Sequence, residues 1–239
     1  MPNNRQIILA QYADGVPGAE HFALREAELP DLAPGQLRAR VIWLSMDPFP
    51  RLRMGGDARV APQLPLGSVM IGRGVARVTE SRHESFAAGD YLAGELGWQE
   101  QYQGDGAGLR PVDPTLAPVQ TSLGILGPSG LAAYFATLRE GRPRAGETVV
   151  VSAAAGSVGL VACQLALMQG ANVVGVVGGA PQEALLRELG VTPVNYRVAD
   201  LGAAIGAACP AGVDLFIDNV GGTVHDAVME RLNVHARAV

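Results

Sequence analysis

Hydrophobic and polar positions follow two different rules along this chain. Up to about residue 124, short runs at 6–11, 37–44, 74–79 and 90–93 carry aliphatic and β-branched residues, with alternation clearest at 37–44. Turn chemistry separates them at Pro30, Pro34-Gly35, Pro48, Pro50, Gly55-Gly56, Gly67, Gly89-Asp90 and 104–108. Short strands spaced this way predict a small β-barrel or sandwich. From Gly127 onward, apolar strands alternate with helical stretches. Helices are expected at 129–140, 157–169, 181–189, 198–209 and 224–232, and strands at 148–152, 172–177, 193–196 and 213–218. Strands without a polar face must be covered on both sides, which predicts a doubly wound parallel sheet. The expected fold is α/β, with a β domain at 1–124 and a doubly wound domain at 125–239 and no internal repeat, long linker or low-complexity segment.

Composition narrows the class. A net charge of −5 over 239 residues gives no reason to expect nucleic acid or an anionic membrane as a partner. All 18 basic residues are Arg, and there is no Lys. Cys163 and Cys209 are far apart with no Cys-x-x-Cys, and His21, His83, His225 and His235 show no ligand spacing, so no metal site is expected. The longest apolar stretch, 149–168, is interrupted by Ser152, Gly156, Ser157, Gly159 and Gln164, so it reads as strand–turn–helix and not as a membrane span. No signal-peptide core precedes residue 6, and a soluble cytoplasmic protein is the expectation.

The most informative segment is Val149-Val150-Val151-Ser152-Ala153-Ala154-Ala155-Gly156-Ser157-Val158-Gly159. It carries the dinucleotide fingerprint, with Ala154 at the first glycine position and Gly156 and Gly159 at the second and third. Gly156 lets backbone approach a pyrophosphate, and Gly159 lets the helix pack on the strand. The helix start then presents unpaired N–H groups to the phosphates. An NAD-specific site places a carboxylate about 20 residues on, at the end of the next strand. Here that stretch is Val176-Val177-Gly178-Gly179-Ala180-Pro181-Gln182, and the first acid, Glu183, already lies in the helix. Nothing there repels a 2′-phosphate, so NADP(H) is the expected cofactor. Arg197, beside Tyr196, is the candidate to clamp that phosphate; a solvated surface arginine is the competing reading. Asn219, in Asp218-Asn219-Val220-Gly221-Gly222, either reaches cofactor ribose or nicotinamide or caps a glycine turn.

These residues, together with several motifs, resemble the zinc-free medium-chain dehydrogenase/reductases, in the group of leukotriene B4 dehydrogenases/prostaglandin reductases, plant alkenal double-bond reductases and bacterial curcumin reductases. The likeness runs over nearly the whole chain. It rests on Leu44-Ser45-Met46-Asp47-Pro48-Phe49, the 67–75 run Gly-Ser-Val-Met-Ile-Gly-Arg-Gly-Val, Phe86-Ala87-Ala88-Gly89-Asp90 and Gly97-Trp98-Gln99-Glu100. It continues through the 126–134 run Leu-Gly-Pro-Ser-Gly-Leu-Ala-Ala-Tyr, the fingerprint loop and 218–222. The resemblance implies a GroES-like β-barrel domain followed by a Rossmann domain, NADPH dependence, and reduction of the C=C bond of α,β-unsaturated ketones and aldehydes. It also implies that Gly156, Ser157, Val158, Gly159, Gln182, Tyr196 and Asn219 contact the cofactor.

The departures from the family pattern carry information. Gln182 stands where the family commonly has a Lys for the 2′-phosphate, and Phe49 where it has a Tyr. Pro128 and Ala132 replace its usual Met and Thr beside the nicotinamide. Members of the family are substantially longer, and Ala236-Arg237-Ala238-Val239 reads as the opening of a fifth parallel strand, so the sequence is expected to be a truncated Rossmann domain from a longer parent. The resemblance implies a homodimer for that parent.

The expected chemistry is hydride transfer from NADPH to the β-carbon of an enone or enal, with a positioned donor stabilising the enolate oxygen. No catalytic residue is assigned. The family's Tyr near the nicotinamide belongs to a segment this chain does not contain, and Tyr134 either stands in for it or packs in its helix. Met46, Phe49 and Trp98 either line an apolar substrate pocket or pack in the core. Two other functions fit the same residues: an NADPH quinone oxidoreductase and a non-catalytic nucleotide-binding protein.

Overall fold

In the first half the alternating runs become antiparallel strands. The computed structural model describes residues 3–55 and 61–239, so Gly56 of the expected 55–56 turn lies outside it. The chain divides into two units, Met1–Leu123 and Gly124–Val239. In the first, β1 (Asn3–Leu9) pairs with β2 (Phe22–Glu28). β3 (Leu37–Leu44) is followed by a one-turn helix, α1 (Phe49–Leu52), and then by β4 (Arg73–Ser81), β5 (Tyr91–Glu95), β6 (Gln101–Gly104) and β7 (Arg110–Val112). These strands form an antiparallel sheet in the order β6-β3-β4-β5-β7. Period two sends Leu37 and Ala39 of β3 and Ala76 and Val78 of β4 onto one core with Phe86, Leu92 and Leu96. The fully buried Asn4 uses its side chain as a backbone mimic. Its Oδ1 accepts from Gln101 N at 2.9 Å and its Nδ2 donates to Gln101 O at 2.9 Å, tying β1 to β6.

The second unit opens with α2 (Pro128–Tyr134), which continues as a π-helix over Phe135–Gly141. The sequence predicts one α-helix over 129–140. The wider turn closes instead with Arg142 N donating to Thr137 O at 2.8 Å, and Arg142 takes a left-handed φ of 49°. Five parallel strands follow: β8 (Thr148–Val151), β9 (Asn172–Val177), β10 (Thr192–Asn195), β11 (Val213–Ile217) and β12 (Leu232–Ala238). They alternate with α3 (Ser157–Met168), α4 (Ala180–Glu188), α5 (Leu201–Ala208) and α6 (Gly222–Met229). The sheet order is β10-β9-β8-β11-β12, so the winding reverses between β8 and β11. That order belongs to a doubly wound dinucleotide fold, in which ligands bind at the reversal point.

The two apolar faces are distinct. Val149 and Val151 of β8 join Val173, Val177, Leu215 and Ile217 beneath α3, where Ala162, Cys163 and Ala166 close over them. Val150 points the other way and meets Val174, Val176, Val194 and Phe216 under Ile205 of α5 and Val224 and Val228 of α6. Local chemistry delimits the helices. Asp200 accepts from Ala203 N at 2.8 Å and caps α5. α3 and α4 end alike: Gly170 and Gly190 adopt φ of 78° and 80°, and Ala171 N and Val191 N bond back to Ala166 O and Leu186 O. The last expected helix, 224–232, is shorter, because Leu232 fits a helical stripe and a strand start equally well and here opens β12. In β12 the pairing with β11 shifts register, and His235 takes a φ of 68°.

Phe216 is fully buried against α5 and α6, so Phe216→Ala is expected to cost about 3–5 kcal/mol, read as a lower urea midpoint at unchanged slope. Burial pushes the Cys163 thiol up to about 12 and that of Cys209 up to about 11. Neither should be alkylated by iodoacetamide at pH 8 until urea unfolds the chain, and mass spectrometry of the native protein checks this.

Candidate functional site

Four strand-end loops of the parallel sheet enclose an open cleft of about 840 Å³. The first follows β8. Gly156 N donates to Ala153 O at 2.8 Å, and Ala154 N donates to Val176 O at 3.1 Å, which pins the loop to β9. Ala153, at a left-handed φ of 47°, lines the cleft with Ala155 and Gly156. Leu160 N donates to Gly156 O, the first bond of α3, so the N–H groups of Ser157, Val158 and Gly159 have no acceptor within the helix. A Cβ on Gly156 would meet only Ala153 O, at 3.1 Å, with open space on its other sides. A Cβ on Gly159 would lie 2.4 Å from Ala153 O and 2.8 Å from Ala154 Cα, so only glycine lets α3 approach its loop this closely. Ser157 Oγ receives a hydrogen bond from Ser129 Oγ at 3.1 Å.

The second and third loops, after β9 and β10, interlock. The Tyr196 ring covers the Gly178 backbone so closely that a Cβ there would lie 2.6 Å from it. The Arg197 guanidinium sits 5.6 Å from the centre of the same ring. Arg197 N donates to Asn195 Oδ1 at 2.9 Å, and Asn195 Nδ2 donates to Glu183 Oε1 at 2.9 Å. The other Glu183 oxygen accepts from Arg187 at 2.8 Å. These bonds from Asn195 and Arg187 hold the Glu183 carboxyl below its ordinary range. Glu183 does not line the cleft, and Gln182, whose amide folds back over Gly179, does. Among the described lining residues Arg197 is the only charged one.

The fourth loop, after β11, brings Val220, Gly221, Gly222 and Thr223 to the opposite wall. Asn219 sits at its start with Nδ2 donating to Ser152 O at 2.9 Å. Asp218 accepts on Oδ1 from Ser152 Oγ at 2.8 Å and from the N–H groups of Val220 and Gly221 at 3.0 Å each, and pairs through Oδ2 with His225 Nδ1 at 2.9 Å. Burial pushes this carboxyl up, but the bonds from Gly221, Val220, Ser152 and His225 outweigh it and hold it at about 2. It is therefore an ionised acceptor at neutral pH, and His225 Nδ1 is the donor to it.

Of the residues singled out in the sequence, Gly156, Gln182, Tyr196 and Arg197 line one cleft, and Ser157, Val158 and Gly159 open the helix beside it. Met46, Phe49 and Trp98 belong to the first unit. Met46 and Phe49 are exposed, whereas Trp98 stacks on Phe22 at 5.6 Å and packs against the Leu9–Met70 core. Tyr134 lies edge-on to Phe135 at 5.6 Å. Sequence reasoning missed Ser152, Asp218 and His225 as a connected group, and Asn195 with Glu183. Ser152 reads as the end of an apolar strand, and no spacing rule links it to residues 66 and 73 positions later. Among the described residues, no group of three or more His, Cys, Asp or Glu is placed to hold a metal, and no helix is long and apolar enough to cross a membrane.

Residues 5–112 match the family model described as the N-terminal domain of oxidoreductase, and residues 157–239 match that described as zinc-binding dehydrogenase. The chain is 38% identical over 236 residues to the NADPH-dependent curcumin reductase of Escherichia coli, covering 98% of this chain and 68% of that protein. It is 38% identical to prostaglandin reductase 1 of Mus musculus, covering 96% of this chain and 69% of that one. The structure of CurA in complex with NADPH from Vibrio vulnificus superposes with a TM-score of 0.92 at 36% identity, over 98% of this chain and 70% of that one. The chain belongs to the medium-chain dehydrogenase/reductase family of oxidoreductases, in the branch that holds the curcumin and prostaglandin reductases.

Proposed function

We propose that this chain carries the NADPH-binding half-site and the β domain of a reductase acting on the C=C bond of α,β-unsaturated ketones and aldehydes, without a metal. NADP(H) is the cofactor of the branch, as the names of its relatives state. The residues present fit it: a glycine with open space at 156, three N–H groups free at the start of α3, and a cleft with one guanidinium and no carboxylate among its described lining residues. That last observation carries the reading, because a 2′-phosphate needs a cation and the absence of a fixed anion.

When bound, NADPH supplies the hydride that adds to the β-carbon of the substrate. The chain's own residues bind and orient. The backbone of Gly156 and the N–H groups of Ser157, Val158 and Gly159 take the pyrophosphate, aided by the positive end of the α3 dipole. Tyr196 and Arg197 take the 2′-phosphate, with Gln182 at the edge, and the Asn195–Glu183 bonds fix the turn that carries Arg197. Asn219 holds the start of the fourth loop through its bonds to Ser152, beside the wall that would face the ribose or nicotinamide. On the substrate side, Met46 and Phe49 supply exposed apolar surface, and the stacking of Trp98 on Phe22 favours a packing role for that ring. On this reading the enzyme is a cytoplasmic homodimer.

A thermal melt with NADPH or NADH at matched concentration tests the cofactor reading. Near 100 times Kd, NADPH should add about 2.7 kcal/mol of stability and NADH less, and a melt indifferent to both would overturn it. An assay panel of enals, enones and quinones tests the substrate class; turnover of quinones alone would replace the enone reading. Gly156→Asp should abolish NADPH binding by setting a carboxylate against the pyrophosphate, as read by isothermal titration. Arg197→Ala removes a charge-assisted contact, about 1.5–3 kcal/mol, and should weaken NADPH roughly tenfold or more while leaving NADH nearly unchanged. Gln182→Lys should tighten NADPH.

A further inference from the structure

The two glycine-bearing loops on either side of the winding reversal grow out of one hydrogen-bonded knot. Ser152, fully buried, is the residue between β8 and the phosphate loop; Asp218 is the residue between β11 and the 219–222 loop. Ser152 N donates to Ile217 O at 3.0 Å, its Oγ donates to Asp218 Oδ1 at 2.8 Å, and the same Oγ accepts from Asn219 N at 2.7 Å. Ser152 O accepts from the Asn219 side chain. Every polar atom of Ser152 is therefore spent on the end of β11 and the loop that follows it, and Ser152 does not line the cleft. Asp218 gathers the amides of Val220 and Gly221, just where Gly221 and Gly222 turn left-handed at φ of 75° and 60°. His225 of α6 fixes the remaining oxygen, and its ring leans on Phe216 in the core.

We infer that Ser152 and Asp218 are positioning residues, a brace that holds the phosphate loop and the Val220–Thr223 wall at the separation the dinucleotide needs. This rests on the cofactor reading above. One hydroxyl and two backbone donors converging on a single carboxylate oxygen hold the loop in the conformation that walls the cleft, so less ordering remains to be done on binding. Because the brace lies on the far side of the cleft from Tyr196 and Arg197, it serves NADPH and NADH alike.

The test compares Asp218→Ala, Asp218→Asn and Ser152→Ala with the parent chain, each below its own melting transition, by amide hydrogen exchange and by Kd for NADPH and NADH. Asp218→Ala should speed exchange at 219–221 at least tenfold, leave the β8 and β9 amides protected, and raise both Kd values by a common factor of about ten. Asp218→Asn, which keeps one acceptor oxygen, should lie closer to the parent. If Asp218→Ala does not fold, Ser152→Ala, which deletes one hydroxyl, should show the same pattern at about three- to tenfold. Unchanged exchange at 219–221, a loosened loop with unchanged Kd, or a loss confined to NADPH would each overturn the brace. A parent chain that binds neither nucleotide would overturn the cofactor reading instead, and the exchange data would still decide whether Ser152 and Asp218 hold the loop.

Discussion

Helix α3 approaches the end of β8 more closely than any side chain at position 159 would permit, with a virtual Cβ only 2.4 Å from Ala153 O. Much of the second unit follows from that approach. The start of α3 is driven against the phosphate loop, so its unpaired N–H groups stand at the sheet's carboxyl edge. The small residues Ala162, Cys163 and Ala166 can then reach down onto Val149 and Val151. The loop itself absorbs the tight turn, with Ala153 in a left-handed conformation that costs an L-residue about 1–2 kcal/mol. A glycine and two dense apolar layers together convert a sheet edge into an anion cradle.

Much of this is legible in the residues because the local signals agree with one another. The three valines of β8, the fingerprint glycines and the next strand at 172–177 all point to the same βαβ unit, and β9 falls where the sequence puts it. What was not legible depends on distance along the chain. The π-helix at Phe135–Gly141 reads as ordinary helix, since a one-residue widening leaves the apolar period almost intact. β12 begins at Leu232 although only its end looks like a strand, because Asn233 and His235 interrupt the β-prone residues and the bulge at His235 breaks the alternation. The Ser152–Asp218 and Asn195–Glu183 bonds join residues that no periodicity relates, so only the folded chain brings them together.

The charge pattern of the cleft is equally a matter of what is tied up elsewhere. Glu183 and Asp218 both stand beside loops that form the walls, yet each spends its oxygens on fixed donors: Asn195 and Arg187 for the first, Ser152, two amides and His225 for the second. Carboxylates that would repel a phosphate serve as scaffolding, and the exposed guanidinium of Arg197 is left to set the sign of the cleft.

The ring of Tyr196 lying on Gly178 has a consequence for how such a protein can change over generations. An acidic residue at the end of β9, the usual device for holding a ribose hydroxyl, has no room until the ring at 196 has gone or turned. A side chain at 178 therefore displaces the outer end of the Tyr196 ring, so the two positions change together. Position 182, whose amide lies over Gly179 on the same side of the cleft, is not under that ring. A change of dinucleotide preference at 182 or 197 leaves the 178–196 contact intact, whereas one at 178 breaks it.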